Sequence, residues 1–110
     1  MFVSTNRIRI SKDHSDELEE RFKPRGGVEQ NPGFVDFELW KLNKDADHEE
    51  YLVVTHWESE DAFKAWTQSD SFRQAHSGPP LEGLMGHGEF NGYDVLFSTR
   101  DVETTAERSA

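Results

Sequence analysis

Three residues could carry chemistry, because each is unusual in its sequence surroundings: Asn6, Trp66 and His76. Asn6 is a polar residue on the even-numbered face of the alternating segment 2–10, and the apolar members of that face should point into a core. A buried amide needs hydrogen-bond partners, so its presence there suggests a specific contact. His76 stands shortly before Gly78, a residue type that commonly ends a helix. An imidazole at a helix end can bind a metal while its other ring nitrogen bonds a carbonyl or water.

Each of these residues also has an ordinary structural interpretation. Asn6 could satisfy a neighbouring backbone group, Trp66 could be a core aromatic residue, and His76 could cap helix carbonyls. Position alone favours the capping role for His76. His56, in a predicted strand, is interpreted as a satisfied structural histidine, and His87 lies between two glycines of a predicted loop. No histidine pair has the spacing of a zinc site, and no phosphate-binding loop or serine nucleophile elbow is present.

Composition and charge narrow the classes of function. The chain has 110 residues, enough for one modest core, and a net charge of −10 from 22 acidic and 12 basic residues. This charge argues against a nucleic acid or an anionic membrane as partner. The chain has no cysteine, which excludes disulfides and thiolate ligands and leaves histidine as the strongest ligand for a soft metal. Without an apolar run of about twenty residues or a signal-like segment, we expect a cytoplasmic protein.

The elements that must position these residues alternate as strand, helix, strand, strand, helices and strand. We expect strands over residues 2–10, 34–42, 50–58 and 89–97, a first helix over residues 16–23, and two short helices within residues 59–77. Residues 78–88, rich in glycine and proline, predict a loop. This order predicts an α+β, ferredoxin-like antiparallel sheet with helices on one face. Residues 1–98 would form a single domain and residues 99–110 a flexible tail.

The predicted strands carry large apolar residues on both faces, and helices on one side can cover only one of them. An uncovered apolar face is an association site, so we expect a homodimer joined through it. In the second strand the two sets are Val35, Phe37 and Leu39 on one side and Phe34, Trp40 and Leu42 on the other, with Phe37 and Leu39 as candidate interface positions.

Several segments of this chain, in order and at similar spacing, resemble those of the IsdG-like haem-degrading monooxygenases, which belong to the antibiotic biosynthesis monooxygenase (ABM) superfamily. The resemblance spans roughly residues 2–97, and its specific part is the combination of Asn6, Trp66 and His76. Some of the other segments also occur in superfamily members that do not act on haem. The matching segments are NR (6–7), RFKPR (21–25), NPGF (31–34), THWES (55–59), AFKAW (62–66) and SDSFRQAH (69–76).

The resemblance implies a homodimer whose two sheets close into a dimeric α+β barrel, with one haem pocket per subunit between helices and sheet. His76 would be the axial ligand of the haem iron. Trp66 would press on the haem and force it out of plane. Asn6 would donate a hydrogen bond to dioxygen on the opposite face of the haem and direct it toward a meso carbon. Phe22 would line the same pocket, although its position fits plain helix core equally well.

The two haem propionates need local cations, because the net charge of the chain repels them. The first candidate is Arg25, at the end of the RFKPR segment, followed by Arg73 and Arg21. A solvated helix face is the ordinary interpretation of all three. The loop of residues 78–88 contains Pro79, Pro80 and Glu82 and supplies no basic residue for this purpose.

The function implied is haem degradation, in which haem is both cofactor and substrate. The ring would be opened with dioxygen and electrons from an external donor, such as a reductase, releasing iron and a linear tetrapyrrole. Two alternatives remain open. One is a cofactor-independent monooxygenase of the same fold that acts on a phenolic or quinol substrate, and the other is a non-enzymatic haem-binding protein.

Overall fold

A four-stranded antiparallel sheet with helices packed on one face forms the framework of the computed structural model, which describes residues 1–23, 28–44, 46–75 and 81–99. The strand order is β2-β3-β1-β4, so the predicted ferredoxin-like arrangement is confirmed. The strands are β1 (Phe2–Ser11), β2 (Phe34–Lys41), β3 (His48–Trp57) and β4 (Glu89–Asp94). The helices are α1 (Ser15–Arg21), α2 (Glu60–Thr67) and α3 (Asp70–Ala75), with short 3-10 turns at Lys12–His14 and Val28–Gln30.

Strand pairing decides which residues share a face. In β1, Asn6 pairs with Val53 of β3 on one side and with Phe90 of β4 on the other. Directly paired residues of antiparallel strands project on the same side of the sheet. Phe2 and Trp57 are also paired, and both contact the Phe63 ring of α2. Asn6, Val53 and Phe90 therefore lie on the face that carries the helices, here called the helix face.

A shift in the pairing of β2 with β3 between Phe34 and Asp36 corrects one expectation. Strict alternation placed Phe34 opposite Phe37 and Leu39, but the irregularity puts all three on the helix face. Leu39 packs against the buried cluster of Ile10, Leu18 and Tyr51. Phe37 and Leu39 are therefore wrong as candidate interface positions. Trp40 projects from the opposite face, here called the outer face, and is 51% exposed.

Serine residues begin the two C-terminal helices, as the sequence predicted. The Ser59 hydroxyl accepts a hydrogen bond from the Ala62 N–H at 3.1 Å, and the Ser69 hydroxyl accepts one from the Phe72 N–H at 3.2 Å. Acidic residues follow each serine and suit the positive end of the helix dipole. These starts fix the orientation of α2 and hence the direction in which Trp66 projects.

Two separate apolar clusters pack on the helix face. At one end α1 covers Ile10 and Tyr51 with Leu18, and all three side chains are buried. At the other end α2 covers Phe2 and Trp57 with Phe63. The helices thus protect the two ends of the sheet, and the middle of β1 lies between them.

The observed C-terminal strand is shorter than predicted, because β4 ends at Asp94 rather than at residue 97. Beyond it, Phe97 is 94% exposed. The predicted flexible tail lies outside the described residues from position 100 onward. Where the chain is described, no helix is both long and apolar enough to cross a membrane.

Candidate functional site

The candidate site is the middle of the helix face, which neither α1 nor α2 covers; this region between their two apolar clusters is here called the cleft. Asn6 stands at its centre, and the flanking Ile8 and Val53 are only half-buried. The expectation that Asn6 is buried is wrong: its side chain is exposed, because the helices pack on the ends of the sheet. Within the described part of the chain the Asn6 amide makes no hydrogen bond. It is therefore available to a ligand in the cleft.

Trp66 lies on the α2 side of the helix face and is held by three aromatic neighbours. Its ring centroid is 5.5 Å from that of Trp57, 6.3 Å from Phe63 and 4.9 Å from Phe72, the last at an interplanar angle of 87°. Edge-to-face and offset contacts of this kind stabilise a ring in one orientation. The bulk of Trp66 is thus fixed in space by α2, α3 and β3 together.

From Trp66 the aromatic contacts continue through Phe63 to Phe90, the strand partner of Asn6, and these three rings are here called the aromatic wall. Neither Phe63 nor Phe90 was singled out from the sequence. Their rings are stacked, with centroids 5.6 Å apart and an interplanar angle of 14°. Phe90 is 57% exposed although it is the direct strand partner of Asn6. Phe63 could have been found from its i, i+3 spacing to Trp66. Phe90 could not, because its position depends on the register of β4 against β1.

A short chain of buried polar contacts lies beneath the α2 end of the cleft. The Ser4 and Thr55 hydroxyls are 2.5 Å apart, and the Trp57 indole N–H donates to the Thr55 hydroxyl at 3.0 Å. Satisfied buried polar groups of this kind fix neighbouring strands relative to each other. They join the strand that carries Asn6 to Trp57, on which the Trp66 ring packs.

Phe22 lies on the α1 side of the same face. Its N–H donates to the Leu18 carbonyl at 3.1 Å, which closes α1, and its half-buried side chain packs against the cluster of Ile10, Leu18 and Tyr51. The structure therefore brings Asn6, Trp66 and Phe22 to one face of the sheet, with Phe22 and Trp66 on opposite sides of the middle.

Two of the predicted site residues, His76 and Arg25, lie outside the described residues. Ala75, the last residue of α3, directly precedes His76 in the sequence. Of the weaker propionate candidates, Arg73 is exposed and forms an ion pair with Asp70 one turn earlier. Arg21 is exposed at the end of α1.

His56 lies on the outer face and takes no part in this cleft. Its Nε2 is 3.5 Å from a carboxylate oxygen of Glu38, and its ring nitrogens make no hydrogen bond to the described residues. Possible ligand atoms of His56, Glu38 and Asp36 lie within 4.8 Å of one another. One oxygen of the Asp36 carboxylate also accepts a hydrogen bond from the Phe37 N–H at 2.9 Å. His87 is exposed in the loop before β4.

Tyr51, which is buried under α1, has a hydroxyl with a shifted pKa. Burial raises the pKa of its hydroxyl well above the ordinary value, and the hydrogen bond that the hydroxyl donates to the Glu19 carboxylate raises it further. Both effects favour the neutral phenol. Tyr51 thus remains a neutral phenol at neutral pH and packs in the buried cluster under α1.

Several known proteins that are similar to this chain are named for haem degradation. The family model described as antibiotic biosynthesis monooxygenase matches residues 1–78. A staphylobilin-producing haem oxygenase from Staphylococcus haemolyticus is 43% identical over 76 residues, which cover 69% of this chain and 73% of that protein. A haem-degrading monooxygenase from Halalkalibacterium halodurans is 36% identical over 95 residues, covering 86% and 82% of the two chains. The solved structure of the haem degrader MhuD from Mycobacterium tuberculosis, with two haems bound in its active site, has a TM-score of 0.69 at 34% identity and covers 90% of this chain and 99% of its own.

Proposed function

The chain belongs to the antibiotic biosynthesis monooxygenase family, and we propose that within this family it is a haem-degrading monooxygenase of the IsdG-like group. It opens the porphyrin ring with dioxygen and external electrons and releases iron and a linear tetrapyrrole. The observation that carries the proposal is the cleft on the helix face, where the Asn6 amide, which no described residue hydrogen-bonds, stands beside the aromatic rings of Phe90, Phe63 and Trp66. The two relatives named for haem degradation and the haem-bound structure of MhuD support it.

The residues of the cleft fit a flat apolar ring. Ile8 and Val53 flank Asn6 with half-buried apolar surface, and Phe90 exposes more than half of its ring beside them. Covering such surface stabilises a complex by about 25 cal/mol per Å². Haem, when bound, would supply an iron centre that activates dioxygen next to the ring to be oxidised.

Asn6 and Trp66 have different roles in this proposal. We propose that the Asn6 amide acts as the hydrogen-bond donor of the site, and a donor lowers a barrier most when it needs no rearrangement. Trp66 is held by its three ring neighbours, so it would not yield to a ligand pressed against it. We propose that its bulk constrains the shape of the bound porphyrin.

The remaining assignments of the proposal concern residues near the ends of α1 and α3. His76, directly after α3, is proposed as the axial ligand of the haem iron, and Phe22 as an aromatic contact on the α1 side. Arg25 is proposed to bind a propionate, since the acidic chain needs a local cation there. His76 and Arg25 would then set the orientation of the haem, and the apolar cleft would supply most of the affinity.

We further propose that the protein is a homodimer, joined through the outer face into an α+β barrel. On that face Trp40 is 51% exposed and Tyr93 is 53% exposed, on the two edge strands of the sheet. Large aromatic residues that are exposed on one face of a sheet are typical of protein interfaces. A reductase would supply the electrons, and a cytoplasmic location, where such donors are available, is part of the proposal.

Haemin titration followed by reduction tests the proposed function. The purified protein should develop a Soret band on addition of haemin, and ascorbate in air, with catalase present, should then bleach the band and release iron to a ferrous chelator. A stable Soret band without bleaching would instead indicate a haem-binding protein without turnover. If no Soret band forms, the cofactor-independent monooxygenase becomes the better assignment.

A further inference from the structure

We propose that Gly88 is a positioning residue for the Asn6 amide, because its missing side chain leaves the space in which that amide lies. The inference rests on the proposed role of Asn6 as the hydrogen-bond donor of the site. It concerns a loop residue that lies just before β4 and that faces the helix side of the sheet beside Asn6.

Steric contact is the first argument. A Cβ atom built at Gly88 would lie 3.1 Å from Oδ1 and 3.9 Å from Cγ of Asn6. The first of these distances is shorter than ordinary van der Waals contact, which begins at about 3.5 Å between heavy atoms. Any side chain at this position would therefore push one end of the Asn6 amide out of its present place.

Backbone conformation does not explain the glycine. Gly83 and Gly86 of the same loop have φ angles of +82° and +71°, which disfavour other residues. Gly88 is absent from the glycines with positive φ in the described part of the chain. Space beside Asn6 is thus the structural feature that distinguishes Gly88 from its neighbours in the loop.

The position of Gly88 relative to Asn6 is fixed from both sides. After it, Glu89 pairs with Arg7 and forms an ion pair with its guanidinium. Before it, the Met85 N–H donates to the Arg9 carbonyl at 2.8 Å. Both contacts attach the segment around Gly88 to β1, the strand that carries Asn6. The space between Gly88 and Asn6 is therefore bounded by residues held to the sheet rather than by a free loop.

This arrangement explains how an exposed amide that no described residue hydrogen-bonds can be oriented. An exposed side chain ordinarily samples several rotamers. Here Oδ1 of the planar amide lies 3.1 Å from where a Cβ at Gly88 would be, so that the amide nitrogen is directed away from this position. Gly88 would in this way set the direction of the donor and, with it, the ring position at which dioxygen is directed.

The test compares Gly88→Ala with the unmodified protein and repeats the change in an Asn6→Ala background. In apoprotein NMR spectra, Gly88→Ala should shift the side-chain amide signals of Asn6 and leave those of Asn91, on the outer face, in place. Haem affinity should change little, whereas turnover should fall about tenfold, as expected for a donor displaced by less than about 1 Å. The ratio of tetrapyrrole isomers should also change. In the Asn6→Ala background the added methyl should change neither turnover nor isomer ratio.

Three results would overturn the inference: unchanged Asn6 amide signals, equal effects of Gly88→Ala with and without Asn6, or no nuclear Overhauser contact between the Asn6 side chain and the α protons of Gly88 in the unmodified protein. The last measurement needs no variant, so it holds even if Gly88→Ala folds poorly. The NMR measurements use no haem. They therefore judge the position of Gly88 even if the unmodified protein does not degrade haem and the proposed function fails.

Discussion

Replacing Asn6 with alanine should separate turnover from stability. The Asn6 side chain is exposed and makes no hydrogen bond within the described residues, and the backbone pairing of β1 with β3 and β4 does not depend on it. Surface changes of this kind alter the free energy of unfolding by about 0.5 kcal/mol or less. The variant should therefore unfold at nearly the same denaturant concentration as the unmodified protein.

The effect on turnover should be much larger. Removing one preorganised donor from a transition state costs roughly a hundredfold or more in rate, which corresponds to about 2.7 kcal/mol. Haem binding should persist, because the apolar cleft and the aromatic wall of Trp66, Phe63 and Phe90 remain. The free-energy cost to catalysis should thus be at least about five times the cost to folding.

A matched control makes the comparison sharp. Asn91→Ala removes the same chemical group from an exposed position of β4 that pairs with Thr5, and so projects from the outer face. Stopped-flow bleaching of the Soret band after reduction in air should be slowed in Asn6→Ala and unchanged in Asn91→Ala. Equal rates in Asn6→Ala and the unmodified protein would refute the donor role. A loss of stability above about 2 kcal/mol would instead show that Asn6 is structural.

Four further outcomes are expected. Trp66→Leu removes three ring contacts of about 0.5–1.5 kcal/mol each, so urea denaturation should show a stability loss of roughly 1.5–4.5 kcal/mol together with a changed Soret spectrum; unchanged stability would contradict the packing. His76→Ala should abolish the specific Soret spectrum at a stability cost of at most about 1 kcal/mol, and an unchanged spectrum would shift attention to His87. The pKa of the Tyr51 hydroxyl is raised in the folded state, so its contribution to the free energy of unfolding is complete below the ordinary pKa of about 10 and declines by about 1.4 kcal/mol per pH unit above it. If alkaline denaturation is identical in Tyr51→Phe, Tyr51 is not the cause of that decline. Trp40→Glu should convert dimers into monomers or aggregates in light scattering, and a fully active monomer of the unmodified protein would refute the dimer.

Local patterns predicted the elements well, because they depend on neighbouring residues. The alternation in residues 2–10 identified the helix face of β1, and Ser59 and Ser69 marked the starts of α2 and α3. Features that depend on distant pairing were not predictable. The irregularity between Phe34 and Asp36 places Phe34 on the same face as Phe37 and Leu39, and it is visible only in the pairing with β3.

The candidate site likewise contains residues that local patterns identified and residues that depend on distant strand pairing. Asn6 and Trp66 were found from the sequence and lie on the same face, but the exposure of Asn6 follows from where two helices pack on the sheet. Phe90 and Gly88 enter the site only through the pairing of β4 with β1. Patterns in the sequence therefore identified residues that could act, and the sheet register identified the residues that surround them.

Mass spectrometry of the product formed under ¹⁸O₂ tests the central claim most directly. Protein loaded with haemin and supplied with an electron donor should convert the haem to a linear tetrapyrrole that carries ¹⁸O, with one equivalent of iron released to a chelator. The Asn6→Ala variant should give the same chemistry far more slowly. Recovery of intact haem after reduction in ¹⁸O₂, or a tetrapyrrole without the label, would contradict the assignment of this chain as a haem-degrading monooxygenase.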